Sequence, residues 1–252
     1  MIQTIVFIFG LCWGSFLNVL ATRVLHHRSF FVHRSYCPSC KNTLAWYDNI
    51  PLLSFIFLKG QCRSCKEPIS WLYPATELTT ALLAVGLYNN YSEPYAYAAY
   101  GLFFTGLLAA TRTDLEAMLI PQLFSLGLIP VGLMAAWLGI IEISLLESML
   151  GALCGYGILW AIAKTFLLLT KREGMGAGDY DLLAGIGAWI GPIGVWLTLM
   201  IASCSGMLLG ATYLYRSKKG RNVRIPFGPF LALGAIGYLF FRTWLLSLFS
   251  VS

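Results

Sequence analysis

Apolar and polar positions divide this chain into long apolar runs separated by short polar breaks. A bilayer-crossing helix needs about 20 mostly apolar residues. By that measure eight segments are candidate spans: about 2–24, 71–88, 95–112, 120–139, 145–169, 179–191, 193–215 and 226–249. The sixth is short and ends at Gly191-Pro192, a pair that breaks a helix, so six or seven crossings also fit. The first run, Ile2 to Val19, has no Lys or Arg before it and Arg23 after it. A cleavable signal peptide carries positive charge first, so this run reads as a retained transmembrane helix with its N-terminus outside.

Composition supports the pattern. Of 252 residues, 58% are hydrophobic and 11% charged, where soluble domains are about half apolar and about a quarter charged. No segment is of low complexity, and no convincing internal repeat stands out. Basic residues set the orientation. Arg28, Arg34, Lys41, Lys59, Arg63 and Lys66 lie between spans 1 and 2. Arg112 ends span 3, and Lys171 and Arg172 precede a glycine run. Arg216, Lys218, Lys219, Arg221 and Arg224 precede the last span. The alternate loops, 89–93 and 140–144, carry acid and no base. Lys and Arg mark the cytoplasmic side, so the long loop and the glycine run face the cytoplasm and both termini lie outside. The net charge of +6 is then a signal of topology and of membrane lipid as a partner, and nucleic acid is not expected.

The stretch CPSCKNTLAWYDNIPLLSFIFLKGQCRSC holds two Cys-x-x-Cys pairs, Cys37/Cys40 and Cys62/Cys65, with 21 residues between them. Zn²⁺ favours a tetrahedron of thiolates, and one tight turn can supply two of them. A loop of this size has little core of its own, which a structural metal can replace. Stable disulfides are disfavoured in the cytoplasm, and a second pair at ribbon-like spacing argues against a lone redox couple. Cys12, Cys154 and Cys204 lie singly inside apolar spans and read as small core residues.

Among the acids, Asp48 and Glu67 belong to the cysteine loop, and Glu93, Glu142 and Glu147 fall on the outer side. Asp114, Glu116, Glu173, Asp179 and Asp181 gather at the cytoplasmic ends of spans, with Glu77 near the start of span 2. In GMGAGDYDLL, Asp179 and Asp181 could simply cap a helix, but that does not account for Gly174, Gly176 and Gly178. Those glycines allow φ > 0 or close approach of another segment. Residues two apart on a helix face nearly opposite ways, so Asp179 and Asp181 do not share a pocket. Asp114, in TRTDLEAMLIPQ, is the natural partner of Asp179 at similar depth, and Glu116 stays open as an alternative. Two carboxylates a few ångströms apart share a proton. One can then activate water while the other protonates a scissile carbonyl. The histidines, His26, His27 and His33, form no H-E-x-x-H, and no G-x-S-x-G occurs.

These motifs together resemble the prepilin peptidases, membrane aspartyl proteases of the GxGD type. The likeness runs in order through SFLNVLATR, CPSC, WYDNIPLLS, CRSC, ISWLYPATE, Asp114 with Pro121, GMGAGD and IPFGPFLALG. The chain departs from the family pattern at Glu116, Gln122 and Asp181, and its first span lacks a proline after Arg23. The resemblance implies Asp114 and Asp179 as the catalytic pair. It implies removal of the basic leader of type IV prepilins or type II secretion pseudopilins at the cytoplasmic face of the bacterial inner membrane. It also implies methylation of the new N-terminus from S-adenosyl-L-methionine, with the cofactor-binding residues unassigned and Asp48 and the cysteine loop as candidate neighbours.

The expected fold is therefore an all-α polytopic membrane protein of about eight transmembrane helices, with a small cytoplasmic zinc-ribbon-like module between helices 1 and 2. The expected boundaries are 1–25 for the first transmembrane helix, 26–70 for the module and 71–252 for a transmembrane catalytic domain. Competing readings are a GxGD protease without methyl transfer, a membrane scaffold with a zinc docking module, and a transporter.

Overall fold

The structure is a computed structural model that describes residues 1–26, 35–216 and 225–248. The sequence-predicted markers His27, His33, Arg28, Arg34, Lys218, Lys219, Arg221 and Arg224 lie outside the described residues. The described residues form, in order, α1 Ile2–Leu25, α2 Leu53–Phe57, α3 Leu72–Asn90, α4 Pro94–Ala117, α5 Leu128–Trp137, α6 Leu145–Thr170, α7 Ala177–Arg216 and α8 Gly228–Leu248. Among the described residues there is no strand, only two isolated antiparallel bridges. The fold is all-α. Among the described residues, four helices are long and apolar enough to cross a membrane: Ile2–Leu25, Leu145–Thr170, Ala177–Thr212 and Gly228–Ser247. The protein is a membrane protein.

The chain divides into two compact units, Met1–Arg112 and Thr113–Ser252. In the first, α1 and α3 pack antiparallel through small residues. A Cβ on Gly10 would come 2.6 Å from Ala81 Cα, and one on Gly14 would come 2.7 Å from Glu77 Cα. Close approach of this kind is the common way for helices to associate where both face lipid. Polar groups between these helices are bonded. Buried Asn18 donates to the Tyr73 carbonyl at 3.1 Å and accepts from Arg112 Nε at 3.1 Å.

In the second unit α6 and α7 meet backbone to backbone: a Cβ on Gly151 would lie 2.1 Å from the Gly187 carbonyl oxygen. Helix α6 starts with a capping box in which Ser144 and Glu147 bond each other's backbone N–H. Helix α7 is interrupted at Gly191 (φ 71°, ψ 179°), ahead of Pro192, as the Gly-Pro pair predicts. Its first arm, 177–190, is about 21 Å long at 1.5 Å per residue, short of the roughly 30 Å of a hydrocarbon core.

Two expectations change. The candidate span 120–139 is helical in α5 only over Leu128–Trp137. Its opening residues form a 3₁₀ turn, Gln122–Phe124, behind Pro121, and Gly127 N–H returns to the Gln122 carbonyl at 3.0 Å. Cys12 and Cys204 are exposed rather than core residues. On helices that face lipid, a small thiol is as well solvated outside as in.

Candidate active site

Asp114 sits in the last turn of α4, which closes with Met118 in the left-handed region (φ 53°) and its N–H on the Asp114 carbonyl at 2.8 Å. The side chain is buried, and its Oδ2 accepts the N–H of Gly228 at 2.9 Å, the first residue of α8. Asp179 lies in the first turn of α7, half-buried, with its own N–H on the Gly176 carbonyl at 3.3 Å. Asp114 and Asp179 lie within electrostatic range of one another. Asp181, two residues on, lies instead within electrostatic range of Tyr180. Glu116 is exposed whereas Asp114 is buried. Of the acids expected at these helix ends, the structure brings together Asp114 and Asp179.

The glycines fit this arrangement by their lack of a side chain. None of Gly174, Gly176 and Gly178 has positive φ, so the backbone freedom anticipated for them is not what the fold uses. A Cβ on Gly178 would come 2.9 Å from Ile120 Cβ. One on Gly228 would come 2.8 Å from Asp114 Oδ2 and 3.1 Å from Ile120 Cδ1. Ile120 thus wedges between the starts of α7 and α8, beside Asp114. At Gly176 the nearest atom to an added Cβ is Asp179 Oδ2 at 3.8 Å, so clearance remains on the carboxylate's own side.

The second cluster lies in the first unit. Atoms of Cys37, Cys40, Cys62 and Cys65 lie within 4.8 Å of one another, so the group can hold a metal ion. Both pairs sit on the same turn built twice. Cys37 N–H bonds the Asn42 carbonyl at 3.0 Å and Cys62 N–H the Glu67 carbonyl at 2.8 Å. Lys41 N–H bonds the Cys37 carbonyl at 2.9 Å and Lys66 N–H the Cys62 carbonyl at 3.0 Å. Lys41 (φ 58°) and Lys66 (φ 61°) share the left-handed conformation. Seen this way the sequence does repeat: CPSCKNTLAW and CRSCKEPISW match in Cys, Ser, Cys, Lys and Trp, 25 residues apart. Backbone N–H groups of Cys65 and Ser64 hold the Cys62 thiol down to about 7. For Cys65 the largest influence, the Glu67 N–H, acts downward, yet desolvation and the neighbouring sulfurs carry it up to about 12. The first thiolate suppresses the next, which is what a bound dication relieves. Asp48 is held by Arg63 of the second turn at 2.7 and 3.0 Å, which also raises the Arg63 pKa. Asp48 therefore ties the intervening segment to the cysteine turns.

Two domain families match the chain in order: the bacterial peptidase A24 N-terminal domain over residues 8–91, and the type IV leader peptidase family over residues 101–211. The class is a helical membrane protein with a peptidase domain. The chain belongs to the type IV leader peptidase family, a family of proteases. It is 37% identical over 254 residues to a prepilin leader peptidase/N-methyltransferase of Aeromonas hydrophila, covering 91% of this chain and 87% of that one. It is 35% identical to a protein of the same name from Pseudomonas aeruginosa, covering 89% and 85%. It is 34% identical to a type 4 prepilin-like proteins leader peptide-processing enzyme of Escherichia coli O78:H11, covering 92% and 91%. No solved structure matches the chain.

Proposed function

We propose that this chain removes the basic leader of type IV prepilins or type II secretion pseudopilins and N-methylates the new N-terminus. Asp114 and Asp179 are the catalytic pair in this reading, and the observation that carries it is a buried Asp114 bonded to the first residue of α8, with Ile120 packed against both that residue and Gly178, next to Asp179 in the first turn of α7. With one proton between them, the ionised carboxylate takes a proton from water and the water oxygen attacks the scissile carbonyl carbon. The protonated carboxyl gives its proton to the carbonyl oxygen. Collapse of the tetrahedral species breaks the C–N bond: the leaving amine takes the proton held by one aspartate, and a hydroxyl of the diol returns a proton to the other, restoring the one-proton pair. The Gly228 N–H stays on Asp114 throughout, which fixes its orientation. No covalent intermediate is required.

In this reading the chain is a multi-pass protein of the bacterial inner membrane. The aspartates lie on the cytoplasmic side, where a basic leader meets acids while the substrate's apolar segment stays in lipid. The cysteines hold Zn²⁺. A tetrahedron with Zn–S near 2.3 Å places sulfurs about 3.8 Å apart, and Cys37 Sγ and Cys65 Sγ are 3.8 Å apart. When bound, the metal fixes the two turns against each other. Methylation rests on the names of the relatives, with S-adenosyl-L-methionine as donor. The described residues include no strand and so no strand–glycine turn–helix cradle of the Rossmann kind, and no step is assigned to the donor. The test of the proteolytic reading is Asp114→Asn and Asp179→Asn in separate proteins. Each abolishes leader removal while still inserting in the membrane. Full activity in Asp179→Asn with loss in Asp181→Asn would move the site two residues.

A further inference from the structure

The segment between the cysteine turns carries an exposed apolar surface. Helix α2 buries none of its five residues. Leu53, Ile56 and Phe57 are spaced i, i+3, i+4, so they share one face, and they are 52%, 66% and 79% exposed. Trp71, just beyond α2's own loop, is 74% exposed.

The position of this face identifies what covers it. Along the antiparallel pair, Gly10 meets Ala81, Gly14 meets Glu77 and Asn18 meets Tyr73. Arg23, in the last turn of α1, lies further out. Leu52 N–H donates to Glu77 Oε2 at 2.9 Å, and the Ser15 hydroxyl bonds the same carboxylate. Glu77 stands level with Gly14, nine residues or about 13 Å inward of Arg23 along the helix. Its side chain leans back toward the start of α3. Leu52 therefore sits alongside the helix pair rather than above it, within the length of α1, a helix that can cross the bilayer. Helix α2 begins at the next residue, and the Phe55 ring packs on Trp71 with centroids 4.8 Å apart. An apolar helix face held alongside a membrane helix is continuous with that helix's lipid-facing surface. Exposed Lys59 follows Phe57 by two residues, placed to meet anionic headgroups, and tryptophan is enriched at this boundary.

We propose that α2, with Trp71, is a membrane-inserted foot of the cysteine module: Leu53, Ile56 and Phe57 lie in the lipid headgroup–acyl boundary beside α1 and α3, with Glu77 as the anchor. This does not depend on the peptidase reading. The test uses the full chain in nanodiscs of phosphatidylcholine and phosphatidylglycerol. A spin-labelled unnatural residue is placed at position 57, or at the exposed Lys41 on the cysteine turn. Power saturation with oxygen and with a water-soluble nickel chelate then reads depth. Oxygen exceeds the nickel chelate several-fold at 57, and the order reverses at 41. A label at position 56 serves if the protein labelled at 57 fails to insert. Nickel access at 57 equal to that at 41 overturns the proposal. So does shielding of 57 from both reagents, which would place protein, such as a second copy of this chain, on that face.

Discussion

Gly228 supports Asp114 in two ways. Its N–H bonds the carboxylate at 2.9 Å, and its missing side chain leaves room for that same oxygen, which an added Cβ would approach to 2.8 Å. A carboxylate moved by about 1 Å from its working position can cost on the order of 10²-fold in rate. Gly228→Ala is therefore expected to lower the rate of leader removal about 10- to 100-fold with insertion unchanged. Gly157→Ala, where an added Cβ meets nothing within 4 Å, is the matched control and stays near wild type. Single-turnover cleavage of a prepilin by the two proteins measures this. The two aspartates were legible in the sequence because an acid at the end of an apolar run is costly and stands out. Gly228 was not, since it is one of 25 glycines and lies 114 residues from its partner. Its motif was visible, but its role as a donor to Asp114 was not.

At the scale of elements, the break in α7 sets where its two arms point. Gly191 adopts φ 71° with ψ 179°, a region nearly confined to glycine, where another residue costs on the order of 1–3 kcal/mol. Gly191→Ala is expected to destabilise by that amount and to lower the thermal midpoint in detergent. Gly187→Val, at the backbone contact with Gly151, is expected to prevent assembly of α6 on α7, read as loss of the folded peak in size-exclusion chromatography. The Gly191-Pro192 break could be read directly from the chain, because both residues act locally. The shortening of α5 could not, since the turn before it depends on hydrogen bonds from Gly127 and Ser125 to Gln122. The apolar face of α2 was missed because a helix of five residues is too short to show a period. The repeat of the cysteine turns was hidden because it matches in only five of ten positions, with no more than three in a row.

For the whole molecule, the charge pattern sets the topology and the paired cysteines set the metal content. Positive charge between spans 1 and 2 and before span 8 predicts one side for the cysteine module and the aspartates. Part of that signal, from Lys218 to Arg224, lies outside the described residues. Purified protein is expected to contain about one zinc per chain, and Cys62→Ser to lose most of it. A chelator should loosen the module, read as faster proteolysis within 35–70. Metal content untouched by the cysteine change would contradict the zinc assignment.

In the proposed reaction Asp114 and Asp179 together cut a leader peptide. The most direct test is a cleavage assay in liposomes with a prepilin carrying a basic leader. Wild type, Asp114→Asn and Asp179→Asn are compared by mass spectrometry of the product's N-terminus. Leader removal is expected from wild type alone, with one added methyl mass when S-adenosyl-L-methionine is supplied. Leader removal that survives either substitution would contradict it.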